Sequence, residues 1–427
     1  GRWPERHDDQ RRSPGARGMS ALLFWLASGL IGYTYAGFPL LVMLRARLRP
    51  RPHRIADVTP SVSVVIAAHD EERSIGARVE NLLAVEYPRD CLEIVIASDG
   101  STDRTVAEAR REDPRVNVLD LPRTGKASAL NAAVAASTGE ILVFSDANTA
   151  YAPDAIRQLV RSFADPEVGG VAGNQVYLSS RLVGDIVDPT TASAIGAGER
   201  SYWDFDRLIK DAESLGGSVI SATGAIYAIR RELFRQVPDG VTDDFITSTQ
   251  VIRAGRRLVF EPDAVALEPV ASSSRGEYRR KVRIMTRGLR GVAMAHELLD
   301  ARRFGFYSLQ LLTHKILRRL MAVPLLVIAA TSVALWDEGP LYRLAVIGQA
   351  AVYGLGAIGL GLRGHPAGRR PWFSLPAFFV LVNVASLHAA WNLLTGRRID
   401  RWQPVRAAES GPPAPPEPTP VAAGGER

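Results

Sequence analysis

The sequence predicts an α/β domain with a mainly parallel, Rossmann-like sheet, flanked at both ends by membrane-crossing helices. Three observations carry this expectation. Apolar runs of strand length alternate with helix-period segments between residues 61 and 163. Three aspartates, Asp70, Asp99 and Asp146, stand where such runs end. Apolar stretches approaching or exceeding the roughly 20 residues that cross a bilayer lie only outside the middle of the chain.

Taken in order, residues 1–18 are polar and read as a disordered lead. The run 19–44 exceeds the about 7–15-residue apolar core of a signal peptide, and no A-x-A-like site follows, so a transmembrane anchor is expected over 19–45. Directly after it comes RARLRPRPHR, with Arg45, Arg47, Arg49, Arg51 and Arg54. Basic residues beside a helix end stay on the cytoplasmic side, which directs the following domain to the cytoplasm. The lone Cys91 cannot form an internal disulfide, in keeping with a reducing compartment. Much of the net charge of +7 comes from arginines flanking apolar runs, which fits lipid headgroups and argues against a nucleic-acid partner.

Residues 61–68, 92–98, 116–119 and 141–145 read as buried strands, and 75–85, 104–111, 127–136 and 153–163 as helices between or after them. In sheets of this kind ligands bind beyond the carboxyl ends of the strands, where the three aspartates fall. The last of these ends reads VFSDANTAY. In extended backbone, residues two apart point the same way, so the Asp146 carboxylate and the Asn148 amide oxygen can meet at one point. Hard oxygen ligands suit Mg²⁺ or Mn²⁺ shared with substrate phosphates. The same residues also serve as turn formers and helix caps, and this alternative stays open.

In RTGKASALN, Lys126 stands at a helix start beside Gly125, an arrangement that binds anions. The chain holds only four lysines, Lys126, Lys210, Lys281 and Lys315, against 52 lysines and arginines together. A compact ammonium retained here is a functional candidate, because lysine and arginine are not interchangeable at a phosphate or sugar.

With these motifs in order, the sequence resembles the membrane-bound family-2 glycosyltransferases, the group of cellulose, chitin and hyaluronan synthases, over roughly residues 61–295. The resemblance implies a GT-A fold and a UDP-sugar donor. VVIAAHDEE matches the opening strand with its nucleotide-contacting acid at Asp70; SDGSTD matches the motif whose acid, here Asp99, faces the uracil; GKASALN matches the lysine motif at Lys126. SDAN corresponds to the metal-binding D-x-D, with Asn148 in place of the second acid. TGAIYAIRRELF, which contains Gly224, matches the segment lining the acceptor side, and TDDF the motif ending in the catalytic base, which implies Asp244. EYRRKVRIMTRGLRG resembles the Q-x-x-R-W region and aligns Arg283 with its arginine, while Arg280 and Ile284 depart from the glutamine and tryptophan.

Sugar transfer requires a carboxylate to take the acceptor hydroxyl's proton, and Asp244 or its neighbour Asp243 can serve. A structural alternative is an acidic pair favoured by the dipole of the helix it begins. Arg279, Arg283, Arg287 and Arg290 recur every three or four residues and share one helix face, suited to lipid headgroups or to the diphosphate. Tyr202 and Trp203 could stack on an acceptor sugar. The runs 321–336, 341–362 and 372–394 read as three further membrane helices.

The expected organisation is a GT-A domain over 59–300, interfacial and transmembrane helices over 301–396, and a Pro-rich flexible tail over 397–427. The expected activity is inverting transfer from a UDP-sugar to a polysaccharide or membrane-associated glycan acceptor, with a divalent cofactor. The protein would sit in the cell membrane as a multi-pass chain, with lipid and a glycan or lipid-linked acceptor as partners. A polyprenyl-phosphate monoglycosyltransferase and a catalytically silent sugar-nucleotide-binding scaffold are the alternatives.

Overall fold

In the computed structural model, residues 14–178, 197–269, 274–362 and 365–397 are described. Eight strands form one sheet: β1 (Val62–Ala68), β2 (Leu92–Asp99), β3 (Val116–Leu121), β4 (Ile141–Ser145), β5 (Ala150–Tyr151), β6 (Val168–Leu178), β7 (Tyr227–Arg230) and β8 (Arg257–Pro269). Their order is β3-β2-β1-β4-β7-β6-β8-β5. The first half is parallel, as expected, with Val64 opposite Ile94 and Val143. Beyond β4 the sheet is mixed, because β7 runs antiparallel to both β4 and β6. The sheet is thus less uniformly parallel than the sequence suggests.

The helices are α1 (Pro14–Gly32), α2 (Phe38–Leu48), α3 (Ile75–Leu83), α4 (Thr105–Ala109), α5 (Lys126–Ala135), α6 (Ala155–Val160), α7 (Ala197–Gly216), α8 (Asp243–Arg253), α9 (Ser274–Met294), α10 (Ala301–Phe304), α11 (Phe306–Leu311), α12 (Ala322–Ala334), α13 (Pro340–Gly361) and α14 (Pro371–Leu394). Both faces of the central strands are covered. Val64 and Ile66 point into a core with Ile75, Val79, Ile156 and Leu159 of α3 and α6. Val65 and Ala67 point to the opposite core, with Ala129 and Leu130 of α5 and Phe245 of α8. Burial on both sides is why these strands read as unbroken apolar runs rather than alternating ones.

Among the described residues, three helices are long and apolar enough to cross a membrane: Gly15–Leu48, Pro340–Gly361 and Pro371–Leu394. A fourth crossing arises if Phe306–Arg319 and Ala322–Ala334, bent by 57° to each other, form one broken span. The first is interrupted by a π-helical turn, Tyr33–Gly37, between α1 and α2. Below that turn α2 packs on α7 of the sheet domain, and above it α1 packs on α12. Leu26, Leu344, Ile347, Trp372 and Leu375 stand exposed on these helices, as side chains facing lipid do.

Candidate active site

The carboxyl ends of β1 and β2 are tied together by side chains that accept backbone N–H groups. Asp70, just past β1, has a φ of 52°, a left-handed conformation that non-glycine residues seldom adopt. Its Oδ1 accepts from Thr102 N at 2.8 Å, and its own N–H is taken by Ser101 Oγ at 3.1 Å. Asp99 is 1% exposed, and its Oδ1 accepts from Thr124 N at 2.7 Å and Gly125 N at 2.8 Å. Between them Gly100 turns at a φ of 58°, where a Cβ would fall 2.7 Å from Arg123 N. Arg123 Nη1 in turn lies 2.7 Å from His69 Nδ1. Two strand ends and the loop before α5 therefore form one rigid wall.

That wall delivers Lys126, the first residue of α5, to the end of β4. Its ammonium lies 3.0 Å from Asp146 Oδ1 and 3.2 Å from Asp243 Oδ2. Burial disfavours the charged lysine, but the two carboxylates outweigh it and raise its pKa, so the ammonium stays charged. Gly224 brings its backbone against the same carboxylate, with a Cβ there falling 3.1 Å from Asp146 Oδ2. Asn148 lies exposed in the turn that follows.

Asp243 and Asp244 open α8, where the helix dipole favours acids. Asp244 is half-buried, and its Oδ1 accepts the N–H of Phe245 at 2.8 Å. Burial first, and then the charge of Asp243, push the Asp244 carboxyl up to about 6, against a partial pull from Lys315. Arg283 is half-buried on α9; burial, with Arg287 and Arg280 nearby, lowers its pKa. Thus Lys126, Asp146, Asp243 and Gly224 meet at one place, Asp244 adjoins it, and Asp70 and Asp99 brace the neighbouring strand ends. Tyr202 and Trp203 fall on α7, but their side chains lie outside the described residues.

The sequence model of glycosyl transferase family 2 matches residues 63–237, which span β1 to β7 and carry Asp70, Asp99, Lys126, Asp146 and Gly224. Residues 63–237 thus carry a glycosyl transferase family 2 domain. Similar to it are poly-beta-1,6-N-acetyl-D-glucosamine synthase of Staphylococcus aureus (strain COL), 27% identical over 56% of this chain and 57% of that protein, and an N-acetylglucosaminyltransferase of Rhizobium sp. (strain N33), 26% identical over 63% and 62%. The chain therefore spans only somewhat over half the length of these curated relatives. Among solved structures it is similar to mannosyltransferase PcManGT from Pyrobaculum calidifontis, in complex with GDP-Man and Mn²⁺. The TM-score is 0.63 at 26% identity, covering 88% of this chain and all of that one. That likeness supports a GT-A fold, which this chain combines with the apolar helices described above.

One residue beside this cluster carried no motif in the sequence. Glu268, near the end of β8, is 8% exposed; burial and then the charge of Asp146 push it up to about 7. It accepts from Gln175 Nε2 and lies 4.0 Å from Arg280 Nη2. Arg280, which departs from the family's glutamine, thus has a carboxylate partner beside Asp146. The only signal in the sequence is a lone acid in the otherwise apolar AVALEPV, visible once its strand is known to end at the site.

Proposed function

We propose that the protein transfers a sugar from a UDP-sugar to a polysaccharide or membrane-associated glycan acceptor, with inversion at the anomeric carbon. One observation carries this reading: a single ammonium, Lys126, bridges Asp146 of SDAN and Asp243 of TDDF. A site for the leaving diphosphate and the acids proposed as base thereby adjoin one another.

In this reading Asp70 and Asp99 contact the nucleotide, and the rigid loops they brace position the base and ribose. Lys126 and Arg283 stabilise the charge that grows on the departing diphosphate. Asp244 takes the proton of the attacking hydroxyl, with Asp243 beside it, and Gly224 leaves room for the acceptor next to Asp146. Tyr202 and Trp203 are proposed to stack on the acceptor.

A divalent ion, Mg²⁺ or Mn²⁺, fits the residues present. Asp146 is part-exposed at 33% and Asn148 adds an amide oxygen. Among the described residues no three acids, histidines or cysteines could hold a metal by themselves. Such a donor set matches an ion completed by phosphate oxygens. Asp146 and Asn148 would hold it, and it would supply positive charge against the diphosphate.

The Arg45–Arg54 cluster supports a cytoplasm-facing domain over 59–300, carried by helices in the cell membrane. The test incubates membranes carrying the protein with a panel of UDP-sugars and with GDP-mannose, recording nucleotide release and product mass. Release of UDP with a sugar-extended product is expected. Turnover of GDP-mannose alone would replace the donor assignment, and no release from any donor would favour a silent scaffold.

A further inference from the structure

Helix α3 buries Ile75, Arg78, Val79 and Leu82 along one face. Their spacing is that of an apolar stripe, yet an arginine holds one of its places. Arg78 is 2% exposed, and among the described residues no carboxylate is within its hydrogen-bond or ion-pair reach. Its guanidinium lies 4.0 Å from the ring centroid of Tyr151, and its buried Nε has no hydrogen-bond partner among the described residues. Burial lowers its pKa to about 10, against a pull from Tyr151 and then Asp146, so it stays charged at neutral pH. A buried cation without a carboxylate partner is costly, and an apolar side chain would pack the same face without that cost. Its hydrogen bonds show what it does instead of packing.

Arg78 Nη2 donates to Ser145 Oγ at 2.7 Å, and Nη1 donates to Asn81 Oδ1 at 2.6 Å. Ser145 ends β4, and its hydroxyl lies 3.2 Å from Ala225 O, next to Gly224. Asn81, one turn along α3, donates from Nδ2 to Tyr151 O at 2.9 Å and accepts from Tyr151 N at 2.8 Å, as a neighbouring strand would. Tyr151 ends β5, which pairs with β8 at Ala266, two residues before Glu268. Between Ser145 and Tyr151 lies the loop 146–150, DANTA, which carries Asp146 and Asn148. One helix face thus grips both stems of that loop, and its two gripping side chains are bonded to each other.

We propose that Arg78 and Asn81 are positioning residues for the divalent ion, fixing both stems of the loop 146–150 so that Asp146 and Asn148 present their oxygens before the ion arrives. This rests on the transferase reading above and adds how its metal loop is preorganised. Arg78 acts on such an ion in two opposed ways. Its charge repels a cation nearby, whereas its grip spares the loop from ordering itself on binding. Substitution separates the two by sign.

The test uses the full chain in neutral detergent with saturating UDP and reads free Mn²⁺ by electron paramagnetic resonance, without turnover. Arg78→Met should raise the Mn²⁺ dissociation constant about 10-fold, the equivalent of one hydrogen bond to a charged group. Arg78→Lys, which keeps the charge and loses the planar fork, should weaken Mn²⁺ as well. Asn81→Leu, which frees the Tyr151 stem and leaves the charge in place, should do the same. UDP binding in EDTA should stay within about twofold in all three, which also reports that they are folded. Tighter Mn²⁺ binding by Arg78→Met with Arg78→Lys unchanged would make Arg78 a bare charge and overturn the proposal. Parallel loss of UDP binding in EDTA would overturn it too, by making α3 a support of the whole domain. Unaltered Mn²⁺ affinity in the three variants would remove the positioning role alone, whereas no Mn²⁺ binding by the wild type would remove the metal reading with it.

Discussion

Replacing Lys126 by methionine removes the charge that two acids share while keeping most of the side chain's volume. At an effective dielectric constant of about 20, unit charges 3.0 and 3.2 Å apart attract by about 5 kcal/mol each. Desolvation of a lysine that is only 19% exposed offsets most of that gain. Breaking a buried pair still costs about 3–5 kcal/mol, because the partners remain without a counter-charge. The acids here are 33% and 20% exposed, and water screens them, so we expect a loss of about 2–4 kcal/mol. For a domain of roughly 250 residues this lowers the melting temperature by about 4–15 °C.

The pH dependence identifies the cause. Lys126 has a folded pKa above its unfolded one, so its contribution is fully present below the unfolded value of about 10.4 and erodes only above it. Thermal unfolding of wild type and Lys126→Met at pH 7 and pH 9 should therefore give the same deficit. Were burial the winning term, the lysine would be neutral by pH 9 and the deficit would differ between the two conditions. A constant deficit below about 1 kcal/mol would equally refute the bridging role, since that is what an exposed ion pair contributes.

As the proposed base, Asp244 must be ionised to accept a proton, and its carboxyl is pushed up to about 6, so kcat/KM should fall about tenfold per pH unit below that value. Asp244→Asn should retain UDP affinity with turnover reduced about 10²–10⁴-fold; normal turnover would move the base to Asp243. Activity should vanish in EDTA and return with Mn²⁺ or Mg²⁺, and Asn148→Asp should lower the metal concentration giving half-maximal rate by adding a charge to the donor set. An unchanged metal requirement in Asn148→Asp would leave Asn148 as a turn residue only.

Strands β1, β2 and β4 were legible because both their faces are buried, which writes them as unbroken apolar runs. Strand β6 was not, since it begins VGGVAG. A Cβ at Gly169 would fall 2.6 Å from Arg256 Cβ, and at Gly173 2.8 Å from Ala264 O, so close neighbours demand glycine where β-branched residues would have signalled a strand. Lys126, Asp146 and Asp243 carried their own motifs, and the structure brings them together. Glu268 carried none, because its strand was unread.

The two sides of the site are held by different parts of the molecule, and this has a consequence for catalysis. On the side proposed for the nucleotide, Asp70 and Asp99 are fixed by backbone amides of loops within the sheet domain. On the side of Asp244, Phe245 rests against Gly291 of α9, and α9 is held from its other side by α14. That contact includes Asn392 Nδ2 to Thr286 Oγ1 at 3.3 Å, Tyr278 OH to His388 Nδ1 at 3.1 Å, and Ser386 Oγ to Met285 Sδ at 3.3 Å. Net contributions of such hydrogen bonds are about 0.5–1.5 kcal/mol, enough to shift how α9 sits without unfolding it. Thr286→Val should therefore lower kcat about 2- to 10-fold, the rate equivalent of that energy, while UDP affinity stays at its wild-type value. Equal losses in kcat and UDP affinity would show that α9 supports the sheet-borne nucleotide site as well. A change in kcat alone would mean that the packing of α14 on α9 sets the position of Asp244, the proposed base, through a helix that the nucleotide need not touch.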